Sequence, residues 1–145
     1  MAWKDVEQAI RKQFGPTIRE WSVHNKTRVT IGIAPADIVP VCRFLFDELQ
    51  ARFIIASGLD TPRGGIEILY HFDFFQLPQV LSVRVFLAKP DPAVDSIARD
   101  IKGAEWIERE IAELLGVRFH RHPDPKRLLL PDDWPEGNFP LRRDR

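Results

Sequence analysis

The fold is decided by two stretches of alternating residues, Ile66-Glu-Ile-Leu-Tyr-His-Phe72 and Leu81-Ser-Val-Arg-Val-Phe-Leu87. Apolar side chains recur at every second position in both stretches, which is the period of a β-strand with one buried face. A connection around Gln76-Leu-Pro78 joins them. The pattern therefore predicts two strands of a sheet that is covered on one side.

The residues before this pair predict two helices and three further strands. The first helix ends at Gly15-Pro16, and a hairpin follows between residues 18–23 and 28–33. The second helix begins at Pro35, where the missing N–H costs nothing. A short apolar strand is predicted over Phe53–Ser57, and a turn-rich loop over Leu59–Gly65. The apolar stripes are Trp3, Val6, Ile10 and Phe14 on the first helix, and Ile38, Val41, Cys42, Leu45, Phe46 and Leu49 on the second.

The residues after the pair predict a linker over Lys89–Pro92, a short helix over Val94–Ile101 and a longer helix over Ala104–Leu115. Gly116 stands where a left-handed residue closes a helix. The resulting order, α-ββ-α-βββ-α-α, predicts an α+β domain with its helices packed on one face of a mostly antiparallel sheet. We expect one domain, with a core over residues 1–117 and an extended Pro/Arg-rich C-terminal arm over residues 118–145.

Composition argues against several classes of protein. The 145 residues carry 21 Lys and Arg and 21 Asp and Glu, and this balance is unlike that of nucleic-acid-binding and polybasic membrane-surface proteins. The single cysteine, Cys42, excludes a cysteine-ligated zinc or iron–sulfur site and a disulfide framework. No stretch approaches the roughly 20 apolar residues that span a bilayer. We therefore expect a cytoplasmic protein without direct membrane insertion.

One candidate metal site comes from His120, His122 and Asp124, because imidazole and carboxylate are common ligands of zinc and iron. A His-x-His pair in a loop lacks the regular register that fixes metal ligands, so structural or interface histidines are the favoured interpretation. Cys42 lies in the stripe of a buried helix, where a cysteine acts as a small hydrophobic residue. We predict no catalytic, cofactor-binding or metal-binding residue in this chain.

The carboxylates of the helix over Ala104–Leu115 allow two interpretations. Glu105, Arg109 and Glu113 follow each other at intervals of four, as in a solvated helix face with weak ion pairs. Alternatively, Glu108 and Glu110, at the edges of the apolar stripe, anchor the returning arm through Arg127 or Arg142. This stripe comprises Ile107, Ile111, Leu114 and Leu115.

The C-terminal arm has the composition of a docking segment. Five of the 12 prolines fall within it, and proline lowers the entropy cost of ordering an extended chain. Three consecutive leucines and Trp134 are atypical of a disordered tail. Trp and Arg dominate binding hot spots. The predicted partner-binding residues are Arg127, Pro131, Trp134, Phe139, Leu141 and Arg142.

The same region resembles a known family. Its pattern is similar to the signature of the thirty-kilodalton subunit of respiratory complex I, which is the C subunit of NADH–quinone oxidoreductase. The matching residues are Glu108, Arg109, Glu110, Glu113, Leu114, Leu115, His122, Lys126, Leu128 and Leu129. The sequence of the arm from Leu128 to Arg142 is also similar to homologues in complex-I-related membrane-bound hydrogenases.

This resemblance implies a peripheral-arm subunit without a redox centre, at the inner face of the cell membrane. Its partners would be a large catalytic subunit, either 49-kDa-like or a hydrogenase large subunit, and neighbouring iron–sulfur subunits. The iron–sulfur clusters, quinone or NiFe centre would then lie in those partners. Two other classes remain open from the residues alone: a small metal-dependent enzyme that uses His120, His122 and Asp124, and a stand-alone module that binds peptides at a sheet edge.

Overall fold

The computed structural model describes residues 1–144, so residue 145, the last of the predicted arm, lies outside the described residues. A five-stranded sheet with the order β1-β2-β5-β4-β3 forms its centre. Its strands are β1 (Glu20–Asn25), β2 (Arg28–Gly32), β3 (Arg52–Thr61), β4 (Gly65–Asp73) and β5 (Val80–Ala88). Within this sheet only β2 and β5 run parallel, and the other neighbours are antiparallel. The two strands predicted from the alternating residues are confirmed, and β4 and β5 pair along their full length.

Three helices cover one face of the sheet: α1 (Trp3–Phe14), α2 (Ile38–Arg43) and α3 (Glu105–Leu115). A 3₁₀ turn over Pro35–Asp37 precedes α2, and a π-helical turn over Phe44–Glu48 continues it. The predicted apolar stripes lie in one core with the inward side chains of β2, β4 and β5, with two exceptions. Leu114 is only partly buried and lies outside this core, and Phe46 is exposed because the π-helical turn there departs from the α-helical period. The predicted α+β architecture is therefore confirmed. None of the helices in residues 1–144 is long and apolar enough to cross a membrane.

The predicted helix over Val94–Ile101 is wrong. The chain there forms a short strand, β6 (Ala93–Asp95), which pairs in parallel with β7 (Arg118–His120), and a turn follows. The helix does not form because residues 93–95 pair with β7 and Ser96 N–H donates to His120 O at 2.9 Å, while Ser96 Oγ accepts from Ala98 N–H. Helical spacing in the sequence does not show partners so far along the chain.

The predicted loop over Leu59–Gly65 is also wrong, since only its tip is a loop. Strand β3 continues to Thr61, which pairs with Gly65 at the start of β4. The Thr61 hydroxyl closes the turn by donating to Gly65 O at 2.9 Å. Gly64, at φ +81°, supplies the left-handed residue that this tight turn requires. The long β3 that results forms one edge of the sheet beside α3.

Candidate docking site

The arm returns across α3, and its first anchor is Arg109. The guanidinium donates from Nε to Lys126 O at 2.7 Å and from a terminal nitrogen to Arg127 O at 2.8 Å. The fork of an arginine suits two neighbouring acceptors because its donors are coplanar and fixed in direction. Arg109 thus binds the carbonyl side of the arm backbone.

Glu113, one turn further along α3, is the second anchor. Its buried carboxylate accepts hydrogen bonds from the backbone N–H groups of Leu128, Leu129 and Leu130, at 3.0, 2.6 and 3.3 Å. Hydrogen bonds to a charged acceptor are about twice as strong as neutral ones. The three leucines are therefore held by their main chain.

The end of α3 binds the arm a third time. Leu141 N–H donates to Leu114 O at 2.9 Å, and the Arg142 guanidinium donates to Leu115 O. These carbonyls lie in the last turn of α3, where helical partners are missing. The Arg142 side chain is only 10% exposed. The arm thus closes the C-terminal end of the helix.

Phe139 packs against the glycine that ends α3. Gly116 adopts the left-handed conformation at φ +73°, as predicted for this position. A Cβ atom at Gly116 would lie 2.5 Å from Cε2 of Phe139, so only glycine leaves room for the ring. The Arg142 guanidinium lies 5.3 Å from the centre of the same ring.

Asp60, near the end of β3, fixes the last described turn of the arm. Its side chain is almost completely buried, pairs with Lys89 Nζ at 2.8 Å and accepts a hydrogen bond from Arg143 N–H at 2.7 Å. Burial raises the pKa of this carboxyl, but the bonds from Lys89 and the Arg143 backbone outweigh it and hold the pKa below its ordinary value.

Between these anchors, residues 131–138 form a projecting segment that we call the apex loop. Trp134 Nε1 donates to Asn138 O at 2.9 Å, and the Arg127 guanidinium donates to Pro131 O at 2.7 Å. Trp134 is half-buried and Pro131 is exposed. The exposed charges of the loop are all acidic: Asp132, Asp133 and Glu136.

The expectation that Glu108 or Glu110 holds the arm through Arg127 or Arg142 is wrong, because both arginines donate to backbone carbonyls. Glu108 is fully buried and accepts from Ser96 Oγ at 2.7 Å and from Ile97 N–H at 3.3 Å. Burial raises its pKa from the ordinary 4.5 to about 7, although the hydrogen bonds from Ser96, Ile97 and Ala98 oppose this.

Both ring nitrogens of His122 form hydrogen bonds with backbone groups. Its Nδ1 accepts a hydrogen bond from Asp124 N–H at 3.0 Å, so Nε2 carries the proton and donates to Glu105 O at 3.0 Å. Neither ring nitrogen is left for a metal. Within residues 1–144, no three His, Cys, Asp or Glu side chains are grouped closely enough to hold a metal ion.

The structure therefore distributes the predicted site residues in two ways. The side chains of Arg127, Phe139 and Arg142 make contacts within the arm and its domain, whereas Pro131 and Leu141 are exposed. Of the signature residues, Lys126 and Leu128–Leu129 present their main chain to Arg109 and Glu113. The sequence pattern did not identify Arg109, Glu113 or Asp60 as anchors. Its interpretation of Arg109 and Glu113 as part of a solvated helix face is wrong, because both bind the arm backbone.

The chain is similar to known proteins of one family. A model of the family described as respiratory-chain NADH dehydrogenase, 30 Kd subunit, matches residues 31–145. The C subunit of the F(420)H(2) dehydrogenase of Methanosarcina mazei is 32% identical over 143 residues, which cover 97% of this chain and 90% of that protein. The C subunit of the NADH-quinone oxidoreductase of Chelativorans sp. is 32% identical over an alignment of 148 positions. This alignment covers 99% of this chain and 72% of that protein.

Two solved structures share the fold. One component of the membrane-bound sulfane sulfur reductase, an archaeal respiratory membrane complex, superposes with a TM-score of 0.81 at 21% identity, covering 97% of this chain and 84% of that component. A trypsin-resistant fragment of Nqo5 superposes with a TM-score of 0.68 at 17% identity, covering 82% of this chain and 98% of the fragment.

Proposed function

The chain belongs to the family of the 30 Kd subunit of respiratory-chain NADH dehydrogenase, and from this premise we propose that it is a non-catalytic docking subunit of the peripheral arm. The family makes it a subunit of a complex-I-like NADH–quinone oxidoreductase or of a related membrane complex. The proposed partner is the large catalytic subunit, which is 49-kDa-like in complex I, and neighbouring iron–sulfur subunits lie close by. The subunit lies at the cytoplasmic face of the membrane.

One observation carries this proposal: the signature residues are used to hold the protein's own arm. Arg109 and Glu113 bind five consecutive residues of arm backbone, from Lys126 to Leu130. A polar pair used in this way positions a binding segment and leaves no group for acid–base or nucleophilic chemistry at that place. The redox centres of the complex then belong to its other subunits.

The anchors present the apex loop as the part of the arm that reaches the partner. Trp134 offers an aromatic anchor, and Pro131 limits the entropy that the loop loses on binding. The three acidic side chains of the loop favour a basic rim on the partner. We propose that the loop, together with Leu141, contacts the large subunit.

A second candidate for the parent complex is one of the F420H2 dehydrogenase kind. The support is the sequence similarity, because the C subunit of that enzyme is 32% identical to this protein over 143 aligned positions. The docking function proposed here is the same in either complex. Purification of the native complex through a tagged copy of this protein, followed by identification of its subunits, separates the two.

Co-purification of tagged variants with the large catalytic subunit tests the docking proposal. Trp134→Ala should weaken association by about 2 kcal/mol, which is typical of a hot-spot residue, and change the stability of the free protein less. The matched control is Phe75→Ala, which truncates an aromatic side chain that is 86% exposed outside the arm. Equal recovery of the large subunit with wild type and Trp134→Ala would show that the apex loop is not the docking element.

A further inference from the structure

We propose that a groove between the edge of β3 and helix α3 binds an extended, apolar segment of a partner protein that carries Lys or Arg opposite Glu110. We call it the β3–α3 groove. The groove is a second docking surface of the protein. The proposal rests on the proposed docking function in one respect: the bound segment belongs to a partner subunit.

The first observation concerns the edge of the sheet. Strand β3 pairs with β4 on one side, and no other strand of residues 1–144 lies on its outer side. Natural proteins protect such edges with charged residues, proline or bulges. A register shift between Phe53 and Ile55 protects the start of β3. From Ile55 to Leu59 the edge has neither charge nor proline, so its backbone is open to pairing.

The second observation is the apolar wall beside that edge. Two adjoining cavities of about 320 Å³ and 210 Å³ share Ile107 and Glu110. Large apolar side chains that are 45–68% exposed line them: Ile54, Ile55, Trp106, Leu129 and Leu141. Clustered exposed apolar side chains of this kind mark protein-binding surfaces in soluble proteins. An extended segment on β3 would place alternate side chains against this wall.

The third observation is the charge of the groove. Among residues 1–144, Glu110 is the only charged residue that lines either cavity. Its carboxylate makes no hydrogen bond or ion pair with another described residue, unlike those of Glu108 and Glu113. A cationic side chain on the incoming segment would complement it, and a carboxylate would be repelled. This fixes the chemistry of the occupant as apolar and basic.

A second copy of this protein fits the groove less well. Antiparallel pairing of two β3 edges about a two-fold axis would keep both α3 helices on the same face of the joined sheet. The two Glu110 carboxylates would then approach each other without a cation between them. A hetero-partner avoids this repulsion and leaves α3 in place.

Binding of two labelled peptides to the full-length protein, measured by fluorescence anisotropy, tests the proposal. Both peptides alternate Val and Thr, and one has Arg and the other Glu at its centre. The Arg peptide should bind about fivefold or more tightly than the Glu peptide, which is the size of a partly exposed ion pair. Glu110→Gln should abolish this preference, and Trp106→Ala should weaken both peptides. Hydrogen exchange should slow at the amides of residues 55–59 when the Arg peptide is bound.

The outcomes separate this proposal from the docking function of the arm. Trp134→Ala should leave peptide binding unchanged even if it prevents assembly. Absence of binding, equal binding of both peptides in wild type, or protection outside β3 would overturn the proposal. So would a wild-type dimer in sedimentation velocity that Ile55→Lys disperses, because a second copy would then be the occupant.

Discussion

Arg109 and Glu113 lie one turn apart on α3 and bind opposite polarities of the same main chain. The arginine takes the carbonyls of Lys126 and Arg127, and the glutamate takes the amides of Leu128 to Leu130. Two side chains thus bind one backbone polar group in each of five consecutive residues, in a segment that forms no helix or strand. This arrangement explains how an irregular arm can be held in one position on the domain.

Glu113→Gln should loosen the arm. The amide that replaces one carboxylate oxygen cannot accept from the backbone N–H groups it would face, so a loss of about 2 kcal/mol is expected. Urea unfolding measures this loss, and hydrogen exchange should become faster at Leu128 to Leu130. Glu110→Gln makes the same chemical change on the same helix without a bond to lose, and should stay within about 0.5 kcal/mol. Equal effects of the two substitutions would contradict the anchoring role.

Gly116→Ala should be more damaging than the same change at Gly137. Both glycines have positive φ, at +73° and +79°, and this alone costs a substituted residue about 1 kcal/mol. A Cβ at Gly116 would also overlap Phe139, whereas nothing lies within 4 Å at Gly137. We expect about 2–3 kcal/mol at Gly116, measured by thermal unfolding. Similar losses at both sites would show that Phe139 does not pack firmly on the end of α3.

Glu113 and Gly116 show which features of the structure local sequence patterns can predict. The strands β4 and β5 follow from alternation, and Gly116 follows from its place after a helical stripe, because both signals involve neighbours in the sequence. The pairing of Glu113 with Leu128 to Leu130 spans 15 to 17 residues. A helical-spacing rule assigned Glu113 to solvent, since it considers only partners within the helix.

The error over Val94–Ile101 has the same origin. Its composition is compatible with a helix, yet the backbone of residues 93–95 pairs with β7, and His120 O accepts the N–H of Ser96 from 24 residues away. The outcome depends on a strand that follows α3 in the chain. Composition predicts a docking segment over residues 118–145, but which of its side chains face inward depends on Arg109, Glu113, the end of α3 and Asp60, which only the folded protein brings together.

Glu108 should make the free energy of unfolding depend on pH. Its pKa is raised by burial to about 7 in the folded protein, against an ordinary value of 4.5. The folded state therefore favours the protonated acid, and the stability that this contributes is present below about pH 4.5 and is lost as the pH rises through 7. The loss should reach about 3 kcal/mol, at about 1.4 kcal/mol per unit of difference in pKa.

Glu108→Gln provides the control, because its amide is uncharged at every pH, as the protonated acid is, and its oxygen can still accept a hydrogen bond. Urea unfolding between pH 5 and 8 measures the free energy of unfolding of both proteins. Subtracting one from the other removes the contributions of Asp60 and the other carboxyls, which both proteins share. The wild type should lose stability over this range relative to the variant. A constant difference would mean that Glu108 keeps the same charge in the folded and unfolded states.

Arg109 and Glu113 should finally show energetic coupling, because both hold one continuous segment. Arg109→Lys keeps the charge but removes the fork, so it should release one of the two carbonyls and cost about 1 kcal/mol. Once Glu113→Gln has loosened the arm, the same change should cost less, since the carbonyls are no longer held near the guanidinium. A double-mutant cycle in urea should therefore give a coupling energy of about 1 kcal/mol, which is usual for residues that share a partner. A second cycle that combines Arg109→Lys with Gly64→Ala, in the turn between β3 and β4, serves as the control. The free-energy costs of these two distant substitutions should be additive. Additive costs for Arg109→Lys and Glu113→Gln would mean that the arm is held at two independent points and does not behave as one element.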